Sequence, residues 1–459
     1  MKAWEYTRDK TFSAPVVILP EEQQTWTLIA EGEKASDALL LAQWSSRVPG
    51  SAAPESVIAG AVQSLESLGY DVGESEKILE EGLAALERGD TEELSIITAR
   101  LYRSFDSLPR NPRSERWNYQ PYDTFEDYRR GVVFPQPRLP DLTGPAFRDK
   151  TRAAWLGRLA GGALGTALEG YVTAQLLKKF GDIRGYVREP NTYNDDITYE
   201  IAFLTACLKT RREVSSADIA EQWLALIPSG WSAEQAALDN LRKGIYPPES
   251  GTYKNPFREW IGAQMRGAIC GQVAPGNPEK AARLAWTDGV ISHSGNGVLG
   301  EVFNAVLTSL AFVRQDMRGL LKEAIALIPR DSEYAGVLDF ALTQARGGSF
   351  ETAWAACEQR YQKYNWIHAY PNAAAEVAAF WFGEGDFDET MRLIALCGQD
   401  VDCNAAQMGA VLGAMKGTAA IDSRWYAPLG QKISTYLRGS HKEIDLEELI
   451  GQTVEAAGR

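Results

Sequence analysis

The chain is poor in the residues and segments that mark several classes of protein. It has only 5 cysteines and 3 histidines, and no two cysteines form a Cys-x-x-Cys pair. Such a scattered, odd-numbered set predicts reduced thiols and a cytoplasmic location. The N-terminus lacks the apolar core of a signal peptide, and no run of about 18 apolar residues predicts a membrane span.

Positive charge is also scarce. The chain has 47 Lys and Arg against 61 Asp and Glu, which gives a formal net charge of −14 and a pI of about 5.0. Proteins that bind nucleic acid need a basic face to neutralise phosphates. The composition therefore argues against a nucleic-acid partner, while a length of 459 residues allows a large core and more than one domain.

Two acidic clusters are the most informative feature that is present. The first is Asn-Asp-Asp-Ile at residues 194–197, and the second is Asp-Val-Asp-Cys at residues 400–403. If the clusters share one site, any two carboxylates about 4 Å apart repel by about 4 kcal/mol at an effective dielectric constant of about 20. Such a site takes up protons or cations. Oxygen ligands without a neighbouring histidine favour Mg²⁺, Mn²⁺ or Ca²⁺ over Zn²⁺ or Cu²⁺.

Each cluster stands at the predicted start of a helix. Apolar residues follow the first cluster at helical spacing, namely Ile197, Ile201, Leu204 and Leu208. Asn194 is the predicted N-cap of this helix. Glycines at four-residue spacing follow the second cluster, namely Gly409, Gly413 and Gly417, and predict a helix packed tightly against its neighbours. Either pair of aspartates alone would suit a helix cap on a solvated face, but two buried helices that both begin this way favour a metal site.

Three motifs, in this order, resemble those of the ADP-ribosylglycohydrolases. Residues 161–170 (Gly-Gly-Ala-Leu-Gly-Thr-Ala-Leu-Glu-Gly) are similar to the family's Gly-Asp-Ala-Leu-Gly segment, which ends in a glutamate. Residues 194–197 resemble Thr-Asp-Asp-Thr, and residues 398–403 (Gly-Gln-Asp-Val-Asp-Cys) resemble Gly-Gly-Asp-Thr-Asp-Thr. The Ser-His segment at residues 292–297 and the apolar helix after it are similar as well. The resemblance covers roughly residues 150–430.

The resemblance implies an all-α catalytic domain with two Mg²⁺ or Mn²⁺ ions. It implies hydrolysis of the bond between an ADP-ribosyl group and a small-molecule or protein-linked acceptor. The expected metal ligands are Asn194, Asp195, Asp196, Asp400, Asp402 and Cys403. The expected catalytic residues are Glu169, Asp196 and Asp400, and the expected substrate contacts are Tyr193, His293 and Asn296. A capping or core role is the alternative for His293. The aromatic loop from Trp231 to Asn255 is suited to stacking on a base.

The chain departs from the family pattern at positions next to the aspartates. Asn194 and Cys403 stand where the family has threonines, and Gly162 stands where it usually has aspartate. Because a thiol is a soft ligand poorly matched to Mg²⁺, we expect one of the two ions to bind weakly or to be absent. Two alternatives stay open. One is hydrolysis of another N- or O-ribosyl compound such as a nucleoside, and the other is binding of ADP-ribose or a related nucleotide without cleavage.

The predicted organisation is a compact multi-helix catalytic domain with an N-terminal helical extension. Helical periodicity in the extension marks residues 54–68, 76–88 and 91–105. The predicted divisions are an N-terminal helical region (1–106), a Pro- and aromatic-rich connecting arm (107–146) and the catalytic domain (147–459). We expect the arm to lie on the catalytic domain and its arginines to pair with acidic residues there. The sequence leaves the oligomeric state open.

Overall fold

The computed structural model describes residues 1–210 and 212–459, apart from the side chain of residue 27. It confirms the predicted all-α fold. The helices before residue 107 are α1 (Ala3–Ser13), α2 (Trp26–Trp44), α3 (Val57–Ser67), α4 (Gly73–Arg88) and α5 (Thr91–Ser104), and α6 (Phe125–Arg130) lies in the arm. No helix in the described parts of the chain is long and apolar enough to cross a membrane.

The remaining helices follow one another along the rest of the chain. They are α7 (Pro145–Gly165), α8 (Thr173–Phe180), α9 (Asp196–Lys209), α10 (Ser216–Leu226), α11 (Ser232–Arg242), α12 (Glu249–Thr252), α13 (Gly267–Gln272), α14 (Pro278–Gly289), α15 (Asn296–Ala311), α16 (Met317–Ile325), α17 (Glu333–Gly347), α18 (Phe350–Tyr361), α19 (Ala369–Gly383), α20 (Phe387–Cys397), α21 (Val401–Lys416), α22 (Ser423–Tyr426) and α23 (Leu446–Ala457). Short 3₁₀ turns lie at Glu21–Gln23, Phe105–Ser107, Glu115–Asn118, Gln264–Arg266, Thr418–Ala420, Ala427–Leu429 and Gly439–Lys442.

Four short strands form two antiparallel hairpins. The first hairpin pairs β1 (Ser46–Arg47) with β2 (Pro54–Glu55), and the second pairs β3 (Lys432–Ser434) with β4 (Glu443–Asp445). Both hairpins border the cavity described below.

Helix α3 joins the N-terminal helices to the main body. One face of α3 contributes Ile58 and Val62 to a small core formed with α4 and α5, and the other face contributes Val57 and Ala61 to the main core. The three predicted helical segments correspond to α3, α4 and α5. Helix α1 was not predicted, and none of its residues is buried. The division into three regions at residues 106 and 146 stays a prediction.

The arm contacts the main body through its arginines and aromatic side chains. Arg116 forms ion pairs with the buried Glu259 at 2.7 Å and with Glu333 at 3.3 Å. Arg129 pairs with Glu279 at 2.5 Å. For these two arginines, the expected pairing with acidic residues of the main body is confirmed.

Helices α7 and α21 run antiparallel in backbone contact at the centre of the main core. A Cβ atom added to Gly409 would lie only 2.1 Å from the carbonyl oxygen of Gly157. A Cβ atom added to Gly165, at the end of α7, would lie 2.1 Å from the backbone nitrogen of Asp402, at the start of α21. Since no side chain fits at these contacts, the glycines fix the start of α21 against the end of α7.

The helix contact predicts that Gly409→Ala destabilises the protein strongly. The added methyl group would overlap backbone atoms that cannot rotate away, so we expect the free energy of unfolding to fall by about 2–3 kcal/mol. Gly451→Ala is the matched control, because Gly451 is also helical and has open space around a built Cβ atom. That control should be neutral or stabilising by up to about 1 kcal/mol. Equal effects of the two substitutions on denaturant-induced unfolding would contradict the close contact.

Candidate active site

The two acidic clusters line a cavity of about 1280 Å³. Their lining residues are Asn194, Asp195, Asp400, Asp402 and Cys403, and Glu169 lines the same cavity. Asp196 is fully buried beside them, and the side-chain amide of Asn194 donates a hydrogen bond to its Oδ2 at 3.1 Å. The fold therefore brings the two predicted clusters and the predicted catalytic glutamate together.

Backbone pairing between two loops positions the second cluster. The backbone N–H of Gln399 donates to the carbonyl oxygen of Tyr171 at 2.9 Å, and that of Gly170 donates to the carbonyl oxygen of Gln399 at 2.8 Å. The N–H of Asp400 donates to Oδ1 of Asn372, on α19, at 3.0 Å. The first two bonds join the loop that follows α7 and carries the glutamate to the loop that precedes α21, and the third bond joins that second loop to α19.

The first cluster begins α9, but the prediction that Asn194 caps this helix is wrong. Asp195 occupies the cap position, without a side-chain capping bond, and α9 starts at Asp196. The Asn194 side chain is instead engaged by the carboxylate of Asp196. A Cβ atom on Gly162 would lie 2.6 Å from Nδ2 of Asn194. The glycine thus leaves room for the asparagine, so two departures from the family pattern accommodate each other.

Burial and mutual repulsion raise the pKa values of the clustered carboxyl groups. For Asp196, burial and then the charges of Asp402 and Asp195 hold the pKa well above its usual range. Burial and then Asp402 and Asp400 do the same to the pKa of Glu169. Burial and Asp195 raise the pKa of Asp402 to about 6. The site therefore concentrates negative charge that protons or cations must offset.

The donor atoms at the site fit a divalent cation. Four buried oxygens of this site have no hydrogen-bond partner among the described residues, namely the Oδ1 atoms of Asn194, Asp196, Asp400 and Asp402. Buried polar atoms of native proteins nearly always have a partner, and oxygens of this kind are the ligands that Mg²⁺, Mn²⁺ and Ca²⁺ prefer. Asp400, Asp402 and Cys403 also present ligand atoms within 4.8 Å of one another.

The three predicted substrate contacts have different positions. Tyr193 lines the cavity and is 59% exposed. His293 does not line it, because it is buried with Nδ1 at 2.7 Å from Oγ of Ser292. Asn296 also lies outside the lining, and its backbone and side-chain N–H groups donate to Glu259. His293 and Asn296 thus lie outside the cavity lining, and their contact with substrate stays a prediction.

Basic and aromatic residues that the sequence did not single out complete the cavity. Four exposed cations line it, namely Arg47, Arg188, Arg438 and Lys442, and within the described residues none of them forms an ion pair. Trp366 and Tyr436 line it as well, together with Trp231 from the predicted aromatic loop. These residues come from segments that share no motif. For Arg438 and Lys442, the concentration of basic residues between positions 432 and 442 was a sequence feature that could have indicated a binding role.

Comparison with known proteins agrees with this fold. The model of the ADP-ribosylglycohydrolase family matches residues 143–457. The chain therefore belongs to the ADP-ribosylglycohydrolase family, and this membership supports a glycohydrolase type of function. An uncharacterized protein of Archaeoglobus fulgidus is 25% identical over 315 residues, which cover 65% of this chain and 99% of that protein.

A solved structure supports the fold independently. It is described as an ADP-ribosylglycohydrolase-related protein complex, and it superposes with a TM-score of 0.51 at 22% sequence identity. The match covers 68% of this chain and 98% of that chain. At this identity the likeness shows a shared fold.

The close carboxylates predict that Asp402→Asn stabilises the protein in the absence of metal and weakens its stabilisation by metal. In metal-free buffer, loss of one buried like charge should stabilise the protein by about 1 kcal/mol or more. With Mg²⁺ or Mn²⁺ present, the variant should lose most of the ligand-induced stabilisation, which is about 2.7 kcal/mol at one hundred times the dissociation constant. Thermal unfolding in chelator and in metal measures both effects. Asp339→Asn, at an exposed carboxylate outside the cavity, is the control and should change neither value.

Proposed function

We propose that the protein is a metal-dependent hydrolase that cleaves a glycosidic bond at the anomeric carbon of an ADP-ribosyl group. The observation that carries the proposal is the set of four buried oxygens without hydrogen bonds, which two helix starts bring together beside Glu169. Asp195, Asp196, Asp400 and Asp402 are the proposed metal ligands, with Asn194 as a supplementary ligand. Family membership supports the class of reaction.

The reaction needs a placed water and a sugar held for bond breaking, because the glycosidic bond breaks through an oxocarbenium-like state. Bound divalent ions would supply positive charge for the sugar hydroxyls and lower the pKa of a bound water. Glu169 lies at the cavity wall, and we assign it the proton transfer or the orientation of the attacking water. Asp196 and Asp400 complete the proposed catalytic set. The helix dipoles of α9 and α21 present their positive ends to the same carboxylates.

The distribution of charge around the cavity favours a substrate with an anionic group. Carboxylates line the cavity, and so do Arg47, Arg188, Arg438 and Lys442, which are exposed and have no carboxylate partners among the described residues. A diphosphate is a suitable ligand for such cations. Trp231, Trp366 and Tyr436 offer aromatic faces for a base. These features support an ADP-ribosyl substrate over a nucleoside that lacks phosphate.

Turnover assays on matched substrates test the proposed reaction. With Mg²⁺ or Mn²⁺, wild-type protein should release ADP-ribose from ADP-ribosylated arginine or serine and leave nucleosides intact. Glu169→Gln should lower kcat by about 100-fold to 10,000-fold, the usual contribution of a general acid or base. Asp400→Ala or a chelator should abolish turnover. The control Asp339→Asn should retain full activity.

Each alternative gives a different result in the same assays. Release of ribose from nucleosides, with ADP-ribosyl compounds untouched, would favour another ribosyl substrate. If ADP-ribose raises the melting temperature while no compound is cleaved, the protein is a binder. Turnover that persists in chelator and in Asp400→Ala would contradict the metal-dependent mechanism.

The basic residues after β3 predict a specific effect on substrate affinity. Replacing both Arg438 and Lys442 with Gln should raise KM about 10-fold or more for ADP-ribosyl substrates, since each charge-assisted hydrogen bond contributes about 1.5–3 kcal/mol. The value of kcat should change little. Lys432→Gln is the control, because Lys432 belongs to the same hairpin, pairs with Glu443 at 2.7 Å and does not line the cavity. Equal KM values for all three proteins would exclude these cations from substrate binding.

A further inference from the structure

One wall of the cavity comes from a segment that lies outside the family match. The hairpin of β1 and β2, residues 46–55, contributes residues 46–50 and Glu55 to the lining. The family model begins to match only at residue 143. This hairpin is therefore an addition of this chain to the site that the matched region builds.

Three side chains of the matched region hold the hairpin by hydrogen bonds. The bonds run from Nη1 of Arg188 to the carbonyl oxygen of Gly50 at 2.5 Å, from the hydroxyl of Tyr171 to the carbonyl oxygen of Ser51 at 3.1 Å, and from Nε1 of Trp231 to Oε1 of Glu55 at 2.8 Å. The three donors come from three separate places in the sequence. The hairpin is thus attached along its length.

Helix α3, which follows the hairpin directly, anchors it to the main core. Ser64 donates a buried hydrogen bond to the carbonyl oxygen of Pro256 at 2.7 Å. A Cβ atom on Gly60 would lie 2.9 Å from the ring of Trp260, so the two surfaces are in contact. The wall therefore has a fixed place on the catalytic body.

The tip of the hairpin lies directly against the proposed catalytic glutamate. A Cβ atom on Gly50 would lie 2.8 Å from Oε1 of Glu169 and 2.1 Å from the carbonyl oxygen of Thr166. The Glu169 carboxylate has no hydrogen bond to any described residue. The Glu169 carboxylate thus lies next to Gly50, and no hydrogen bond from a described residue fixes its position.

We infer that the N-terminal hairpin forms one wall of the substrate-binding cavity and that Gly50 is a positioning residue for Glu169. This inference rests on the proposed function. The wall keeps the Glu169 carboxylate beside the proposed metal ligands, and it adds Arg47 and Glu55 to the lining of the cavity. The N-terminal region is then part of the catalytic unit.

Kinetics of Gly50→Ala test the positioning role. The added methyl group would overlap the carbonyl oxygen of Thr166 and meet Oε1 of Glu169. The hairpin tip and the Glu169 carboxylate must then shift, so kcat should fall about 10-fold to 100-fold while KM changes less than about threefold. Gly32→Ala is the matched control, since Gly32 also lies in the N-terminal region and a built Cβ atom there has no neighbour within 4 Å. It should behave as wild type.

A double-mutant cycle separates positioning from general damage. If Gly50 acts through Glu169, then Gly50→Ala should have no further effect on kcat in a Glu169→Gln background. Additive losses would overturn the positioning role. If Gly50→Ala does not fold, Tyr171→Phe serves in its place, because it removes only the hydroxyl that binds the Ser51 carbonyl. It should lower kcat several-fold and show the same non-additivity.

Amide hydrogen exchange tests the wall without relying on turnover. ADP-ribose with Mg²⁺ should slow the exchange of amides in residues 46–53 of the wild-type chain. The inference would be overturned if the protein hydrolyses its substrate but shows no such protection and if the Gly50→Ala and Gly32→Ala variants have equal kinetics. The proposed function would still hold in that case. Protection without hydrolysis would support the wall and contradict the proposed reaction. No binding and no turnover would overturn both.

Discussion

The backbone contact between α7 and α21 is the constraint on which the site depends. At Gly157, Gly165 and Gly409 the two helices approach so closely that a single methyl group would meet backbone atoms of the partner helix. The absence of side chains at these glycines lets the start of α21 pack directly against the end of α7. Because Asp402 stands at that start and Glu169 stands just after that end, this packing brings both carboxylates to the same cavity, whatever the electrostatic cost.

The repulsion between these carboxylates is the physical reason that the site favours binding of cations. Carboxyl groups that are buried together have raised pKa values, as Asp196 and Glu169 do, and are stable as anions only when cations offset their charge. The helix starts, the loop pairing at Gln399 and the Asn372 hydrogen bond hold the oxygens in place before any ion binds. The apolar core and the helix contact stabilise an arrangement that the carboxylates alone would oppose.

The sequence predicted the parts of the site that local patterns encode. Apolar spacing after Asp196 and the glycines of α21 predicted two buried helices with acidic starts, and the motifs added Glu169. The Asn194 cap was wrong because a nearby carboxylate engages its amide, which local spacing cannot reveal. His293 stands in a recognisable motif, yet its side chain is bonded within the core.

The walls of the cavity could not be predicted for a related reason. Arg438 lies in the loop between β3 and β4, and Gly50 lies at the tip of the other hairpin, far from Glu169 in the sequence. Such contacts depend on long-range packing through α3 and on single hydrogen bonds, such as that from Trp231 to Glu55. The structure thus assigns to the N-terminal region a place beside the site that its sequence alone did not suggest.

The central claim is that the gathered carboxylates form a divalent metal centre. Anomalous scattering from crystals grown with Mn²⁺ tests it most directly, because the signal locates the ion without reference to activity. The account predicts one or two strong anomalous peaks bonded to oxygens of Asp195, Asp196, Asp400 and Asp402. Occupied Mn²⁺ sites elsewhere on the protein, with no peak at these aspartates, would contradict it.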